Sequence, residues 1–314
     1  MEGQNLTYAV IGVGAVGGYY GGLLARHGFD VHFLLHSDYH HVMNHGLIVD
    51  SIDGDFVLPK VNAYESAADM PSCDVVIVAL KTTQNFHLVN ILSHVAKPDS
   101  IIVVLQNGIG IEQDIAELVP GRTVIGGLCF LCSNKVGPGH IKHIDYGSLT
   151  LGEYVSGYKP AGITGRLESV SKAFQAAKIT VRLSENLGES RWKKLVWNAP
   201  FNGLSVILNA TTDKIIFNDA SRSLSQDIMM EVIHGALALG YHIDKAFADQ
   251  MMTLTEQMKA YKPSMMLDFE AGRPLEIDAM YWRPIYEAQA KGRQMTAMRT
   301  LALQLEFLVD RRQT

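Results

Sequence analysis

Lys194, Asn198 and Asn202 recur at intervals of four residues within the segment Arg191 to Asn202. On a helix this spacing lines one cation and two carboxamides along a single face. Asparagine is unfavourable inside a helix, and Pro200 deprives the Val196 carbonyl of its usual donor and should kink the chain there. Sequences break such local rules where function asks for it, the competing reading being a polar stripe turned to solvent. Lys193, one position earlier, points about 100° away around the helix and serves as an internal control.

A second chemical signal lies near the start. An apolar run, Leu6 to Ile11, leads into Gly12-Val13-Gly14-Ala15-Val16-Gly17 and then helix-like residues through Gly28. In a G-x-G-x-x-G turn between strand and helix, the first glycine permits the tight turn and the second lets a pyrophosphate reach the backbone. The third lets helix and strand pack closely, and the free amides of the helix N-terminus face the phosphates. Lys81 follows the apolar run ending at Leu80, and Gln106, Asn107 and Gly108 follow the run ending at Leu105. Strand C-terminal ends are where an open parallel sheet binds its ligand, although Lys81 also reads as a solvated loop lysine and Asn107-Gly108 as a turn.

The elements that must hold these groups follow from apolar periodicity. Val31 to Leu35, Asp74 to Leu80 and Ile101 to Leu105 are apolar nearly throughout, which suits strands of a parallel sheet covered on both faces. Phe86 to Val95 and Ile109 to Val119 have the length of crossover helices. Val124 to Gly126, Ile141 to Ile144 and Leu149 to Leu151 read as further short strands, Ile163 to Lys178 as a helix and Thr180 to Leu183 as a last strand. Beyond Ser184, a candidate N-cap, the pattern is almost wholly helical. The expectation is an α/β chain: a Rossmann-type, doubly wound parallel-sheet domain over 1–184 and an all-α domain over 185–314, with the crevice between them the default site.

Composition narrows the function classes. A chain of 314 residues exceeds what one core usually serves, and 47% hydrophobic with 19% charged residues is a globular balance. The formal net charge of -5 argues against general binding of nucleic acid or anionic membrane. Three cysteines cannot staple a secreted scaffold, so a cytoplasmic location is expected. Leu6 to Ala25 is uncharged and carries Gly14, Gly18 and Gly22 at the spacing of packed membrane helices. Its many glycines lower helix propensity, however, and Glu2 precedes it in place of a signal peptide's basic flank. Thirteen methionines are compatible with a dimer surface, and hence with a homodimer.

Taken together, the Gly12–Gly18 turn, Lys81, Gln106-Asn107-Gly108, the Lys194/Asn198/Asn202 face, Ser264-Met265-Met266-Leu267-Asp268 and Glu276-Ile277-Asp278 resemble the ketopantoate reductase family over nearly the whole chain. The resemblance implies NADPH-dependent reduction of a 2-oxo acid, ketopantoate to pantoate on the route to pantothenate and coenzyme A. It makes Lys194 the general acid, assisted by Glu276. Asn107 borders nicotinamide and substrate, and Asn198, Asn202 and Ser264 hold the substrate's polar groups. Gly12, Val13, Gly14, Ala15, Val16, Gly17, His36, Ser37, Lys81, Asn107 and Glu276 contact the cofactor. The chemistry agrees independently, because hydride arriving at a ketone carbon leaves alkoxide charge that an ammonium can neutralise and protonate, and desolvation lowers an ammonium's pKa toward the working range. Glu276 alternatively reads as a surface residue at a helix start. A paralogue reducing another 2-oxo acid, or a dinucleotide-binding sensor without chemistry, are the alternatives; a sensor has no need of Lys194.

Three positions depart from the family pattern. His36 stands where an arginine commonly holds the 2'-phosphate of NADPH, and Phe29 to Pro59 contains no lysine or arginine. NAD is therefore not excluded, with Asp38 near the position of a ribose-binding acid, and NADPH affinity should weaken as the imidazole loses its charge. Tyr281-Trp282 stand where an Asn-Gly pair is common, which could reshape the pocket. The usual late proline is missing around Met295 to Met298. Two remaining patterns carry little: Cys129-x-x-Cys132 follows a strand and not a helix N-terminus, and His36, His40, His41 and His45 read as a solvated loop face, so no metal site is expected.

Overall fold

Residues 6–313 are described in the computed structural model of the chain, and Glu2 lies outside them. Two compact units emerge, one running to Gln106 and then over Ile111–Leu187, the other joining Asn107–Gly110 to Gly188–Thr314. The division is thus not purely sequential: four residues after Gln106 pack with the helical unit.

The first unit contains, in order, β1 (Thr7–Ile11), α1 (Ala15–Arg26), β2 (Asp30–Leu34), α2 (Tyr39–His45), β3 (Leu47–Ser51), β4 (Phe56–Leu58), β5 (Asn62–Tyr64), β6 (Cys73–Val78), α3 (Leu88–Val95), β7 (Ala96–Val104), α4 (Ile111–Leu118), β8 (Thr123–Gly137), β9 (His140–Glu153), α5 (Gly165–Ala176) and β10 (Val181–Leu183). They form one sheet in the order β4-β3-β9-β8-β7-β6-β1-β2-β5, with β10 beside β9. From β5 to β8 every neighbour is parallel, and Val10 sits level with Phe33 on one side and Ile77 on the other. Ala9, Val10 and Ile11 are completely buried, as the unbroken apolar run requires of a central strand. Each fully buried Ile or Phe contributes about 1.5–3 kcal/mol, so the strand ends are held by a stiff core of Val10, Phe33, Ile77, Tyr20 and Phe174.

The sheet differs from the all-parallel expectation at one side. The three short strands anticipated between 124 and 151 are two long ones, β8 and β9, paired antiparallel. Register shifts at Phe130/Leu131, Cys132/Ser133 and Lys135/Gly137 break the alternation that would otherwise have revealed their length. Helix α2 and strands β3 to β5 were not anticipated; the histidine-rich stretch that reads as a loop is the helix α2, on which His40, His41 and His45 are exposed.

The second unit carries α6 (Leu187–Ile207), α7 (Thr212–Ile216), α8 (Asp219–Ala238), α9 (Ala246–Gln257), α10 (Ser264–Glu270), α11 (Arg283–Ala290) and α12 (Thr296–Gln313), with a single π-helical turn over Asp278–Trp282. Helix α6 begins at Leu187, so Ser184 is not its cap; the Ser184 hydroxyl instead accepts from the Asn186 amide at 3.3 Å and donates to its carbonyl at 2.9 Å. The helix continues through Pro200, and Trp192, Val196, Phe201, Ile233, Met280 and Leu305 gather into its core. Among the described residues no helix is long and apolar enough to cross a membrane.

Candidate active site

Residues of the Gly-rich turn line a cavity of about 630 Å³ in the first unit, at the C-terminal ends of β1, β2 and β6. Its wall includes Gly12, Val13, Gly14, Leu80, His36, Ser37 and Asp38. Strand order reverses direction between β1 and β6, which is where an open α/β sheet binds ligands. Gly12 has φ of +94°, and a Cβ there would lie 2.7 Å from the Leu80 amide nitrogen, so only glycine fits. A Cβ on Gly17 would come 2.2 Å from the Gly12 carbonyl oxygen, the close helix-to-strand approach expected of the third glycine. Beside Gly14, by contrast, a Cβ would meet nothing within 4 Å. That open flank, at the N-cap of α1 with no side chain satisfying the helix amides, fits a pyrophosphate. Ala15 and Val16 open α1, and Lys81 precedes a 3-10 turn over Thr82–His87 whose Gln84 and His87 reach the cavity.

The helical unit assembles the polar face of α6. The Lys194 ammonium donates to Asn107 Oδ1 at 2.8 Å across 87 positions of sequence. Two turns on, the Asn202 carboxamide donates to the Asn198 carbonyl at 3.1 Å and accepts from the Met265 amide at 3.2 Å and the Ser264 hydroxyl at 3.4 Å. Asn198, midway between Lys194 and Asn202 on the same face, is only 9% exposed. The face is therefore no solvent stripe. Lys193 points elsewhere and pairs with Glu189 at 2.8 Å.

Asn107 is held by the segment behind it. Gly108 has φ of +111°, a Cβ on it would collide with Ala279 at 2.6 Å, and the Ile109 amide donates to the Ala279 carbonyl at 2.9 Å. Asn107-Gly108 is thus more than a turn, since it docks on the π-helical turn, a rare geometry enriched at functional sites. Glu276, immediately before that turn, is 5% exposed, so it is a buried carboxylate and not a surface one.

A family model described as ketopantoate reductase PanE/ApbA matches residues 8–156, and its C-terminal counterpart matches residues 186–308. The chain belongs to the ketopantoate reductase family. It is 52% identical over 307 residues to a 2-dehydropantoate 2-reductase of Nostoc sp., covering 98% of this chain and 96% of that one. The crystal structure of a 2-dehydropantoate 2-reductase from Geobacter metallireducens matches with a TM-score of 0.91 at 41% identity, over 96% of this chain and 99% of that one. One from Methylococcus capsulatus gives 0.87 at 32% identity, over 98% and 97%.

Against the ketopantoate reductase pattern, the departures now have places. Tyr281 is fully buried and its hydroxyl donates to the Ala199 carbonyl at 2.8 Å, while the Trp282 indole donates to Glu306 at 2.7 Å, so both aromatics brace the helical core. Near the missing proline, the Ala297 and Met298 amides donate to the Glu231 carboxylate at 2.9 and 3.0 Å, and a proline at either position would remove one of those donors. Cys129 and Cys132 are free thiols on β8, and burial pushes Cys132 up to about 12, the opposite of a reactive thiolate. Among the described residues no group of three or more His, Cys, Asp or Glu is placed to hold a metal ion.

Several cavity residues escaped the sequence reading, and one of them is charged and paired inside the wall. Lys135, from β8, lines the His36 end and pairs with Asp38 at 2.6 Å. Burial alone would raise the Asp38 carboxyl, but hydrogen bonds from Lys135, the Gly139 amide and Ser37, with the Lys135 charge, outweigh it and hold the group below the usual aspartate value. Nothing local in the sequence connects residues so far apart; only the pairing of β8 with β9 brings Lys135 and Gly139 to Asp38.

Proposed function

We propose that the chain reduces 2-dehydropantoate (ketopantoate) to pantoate, using NADPH. The observation that carries this reading is the Lys194 ammonium held at 2.8 Å from Asn107 Oδ1 on the same helix face as the buried Asn198 and Asn202. When bound, the nicotinamide supplies the hydride that reaches the keto carbon. The first unit holds the dinucleotide through Gly12 to Gly17, with His36, Ser37 and Lys81 toward the adenosine and phosphate portions. Lys194 stabilises the negative charge gathering on the keto oxygen and then delivers its proton there, which makes the product a secondary alcohol. Asn107 orients that ammonium, so the amine approaches the oxygen along a fixed line. Asn198, Asn202 and Ser264 bind the carboxylate and hydroxyl of the substrate, and Glu276 assists beside the reacting centre and the nicotinamide ribose.

The division of labour expected from the sequence, residues 1–184 for the dinucleotide and 185–314 for substrate and proton, is kept in this reading except that Asn107 works with the helical unit, in which it packs, and Glu276 also serves the nicotinamide ribose. A cytoplasmic location suits three free cysteines, and a second copy of the chain is compatible with the scheme, read by its mass in solution. The assay is direct: purified protein is mixed with NADPH and ketopantoate, then with a panel of other 2-oxo acids, while absorbance of the reduced cofactor is followed. Fastest turnover on ketopantoate is expected. A clear preference for another 2-oxo acid would make the chain a paralogue, and silence with every acid would leave only a dinucleotide sensor.

A further inference from the structure

The Lys135 side chain stands in the wall of the dinucleotide cavity, one-third exposed at 33%, against an Asp38 carboxylate only 8% exposed. Both oxygens of Asp38 are engaged: Oδ1 accepts from the Ser37 hydroxyl at 3.2 Å, and Oδ2 accepts from the Gly139 amide at 2.9 Å and from Lys135 at 2.6 Å. An acid so occupied is a poor acceptor for a ribose diol, the contact by which such folds select NAD. Its evident work is to fix an ammonium in place. An ammonium carries three donors, and one suffices for Asp38.

We propose that Lys135 is the cation that recognises a 2'-phosphate on the adenosine ribose and so selects NADPH over NADH, the position after β2 being histidine. This rests on the dinucleotide assignment of the first unit. The phosphate site is then built from two distant pieces of chain: His36 and Ser37 from the end of β2, and Lys135 from β8, held by the buried Asp38. Glu65 is the other carboxylate of the lining and is exposed, so it keeps its hydration and leaves the Lys135 corner as the cationic one.

The test is equilibrium binding of two fragments that differ only in the phosphate at issue, adenosine 2',5'-bisphosphate and adenosine 5'-monophosphate, by calorimetry on the full chain. Lys135→Met should weaken the bisphosphate about tenfold or more and the monophosphate less than twofold, while Lys135→Arg keeps the preference. Equal weakening of both fragments in Lys135→Met, or no weakening of either, would overturn the assignment. These constants do not depend on the keto acid, so an enzyme that fails to turn over ketopantoate refutes the reaction and leaves the phosphate site standing. If neither fragment binds the unaltered protein, both proposals are wrong.

Discussion

The cavity at the Gly-rich turn and the polar face of α6 solve their tasks with opposite materials. The first is made of backbone: Gly12, Gly14 and Gly17 matter for what they lack, and in the proposed function the amides at the start of α1 are the binding groups. The second is made of side chains gathered from Asn107, α6 and the start of α10, with contacts across 87, 62 and 63 positions of sequence. A dinucleotide phosphate can be held by groups every residue possesses, so selection acts on space. A keto oxygen must receive a proton from a titratable side chain, so selection there acts on identity. Substitutions in the two regions should therefore differ in kind.

The largest effect is expected on the side-chain face, where Lys194→Ala should lower kcat about a thousandfold and Lys193→Ala, whose partner is the half-buried Glu189, less than twofold. Equal losses measured by cofactor absorbance would erase the contrast between the two lysines. In the backbone region, Gly12→Ala forces a left-handed residue against the Leu80 amide and should cost about 1–3 kcal/mol of stability in urea titrations. Gly14→Ala, with open space beside it, should leave the unfolding midpoint where it was and weaken dinucleotide binding about tenfold. A destabilised Gly14→Ala protein with intact affinity would show that the flank serves packing.

The smallest effects distinguish the units by the sign of their pH dependence. Burial pushes Glu287 in the helical unit up to about 7 although Arg283 pulls it back, so the unfolded chain ionises first and stability should decline as pH rises from about 4.5 to about 7. Glu287→Gln should remove that decline. Asp38 is perturbed the other way: its contribution is complete above the unfolded aspartate value and is lost as pH falls through its lowered one, so Asp38→Asn should flatten only the acid limb. Parallel denaturation profiles for wild type and either variant would deny that carboxyl its role.

Much of the backbone region was legible because its signals are local. Leu6 to Ile11 is apolar without interruption since β1 is buried on both sides, and glycine spacing states directly where a Cβ cannot go. The helix face was legible through its period of four. What stayed hidden depends on distant pairing. Bulges hid the length of β8 and β9, short β3 to β5 carry too few residues to show a period, and Lys135 looks like any strand lysine until β8 carries it to Asp38. The docking of Asn107–Gly110 onto the helical unit was equally invisible, being set by the small Ala279 side chain facing Gly108.

The central claim is that the amine at position 194 protonates the oxygen of the keto acid. It is tested most directly by chemical rescue of Lys194→Ala during single turnovers of bound NADPH with ketopantoate. The account predicts a rate that climbs with added methylammonium or ethylammonium and does not respond to tetramethylammonium at the same ionic strength. Acceleration by all three salts alike, or by none, would contradict it.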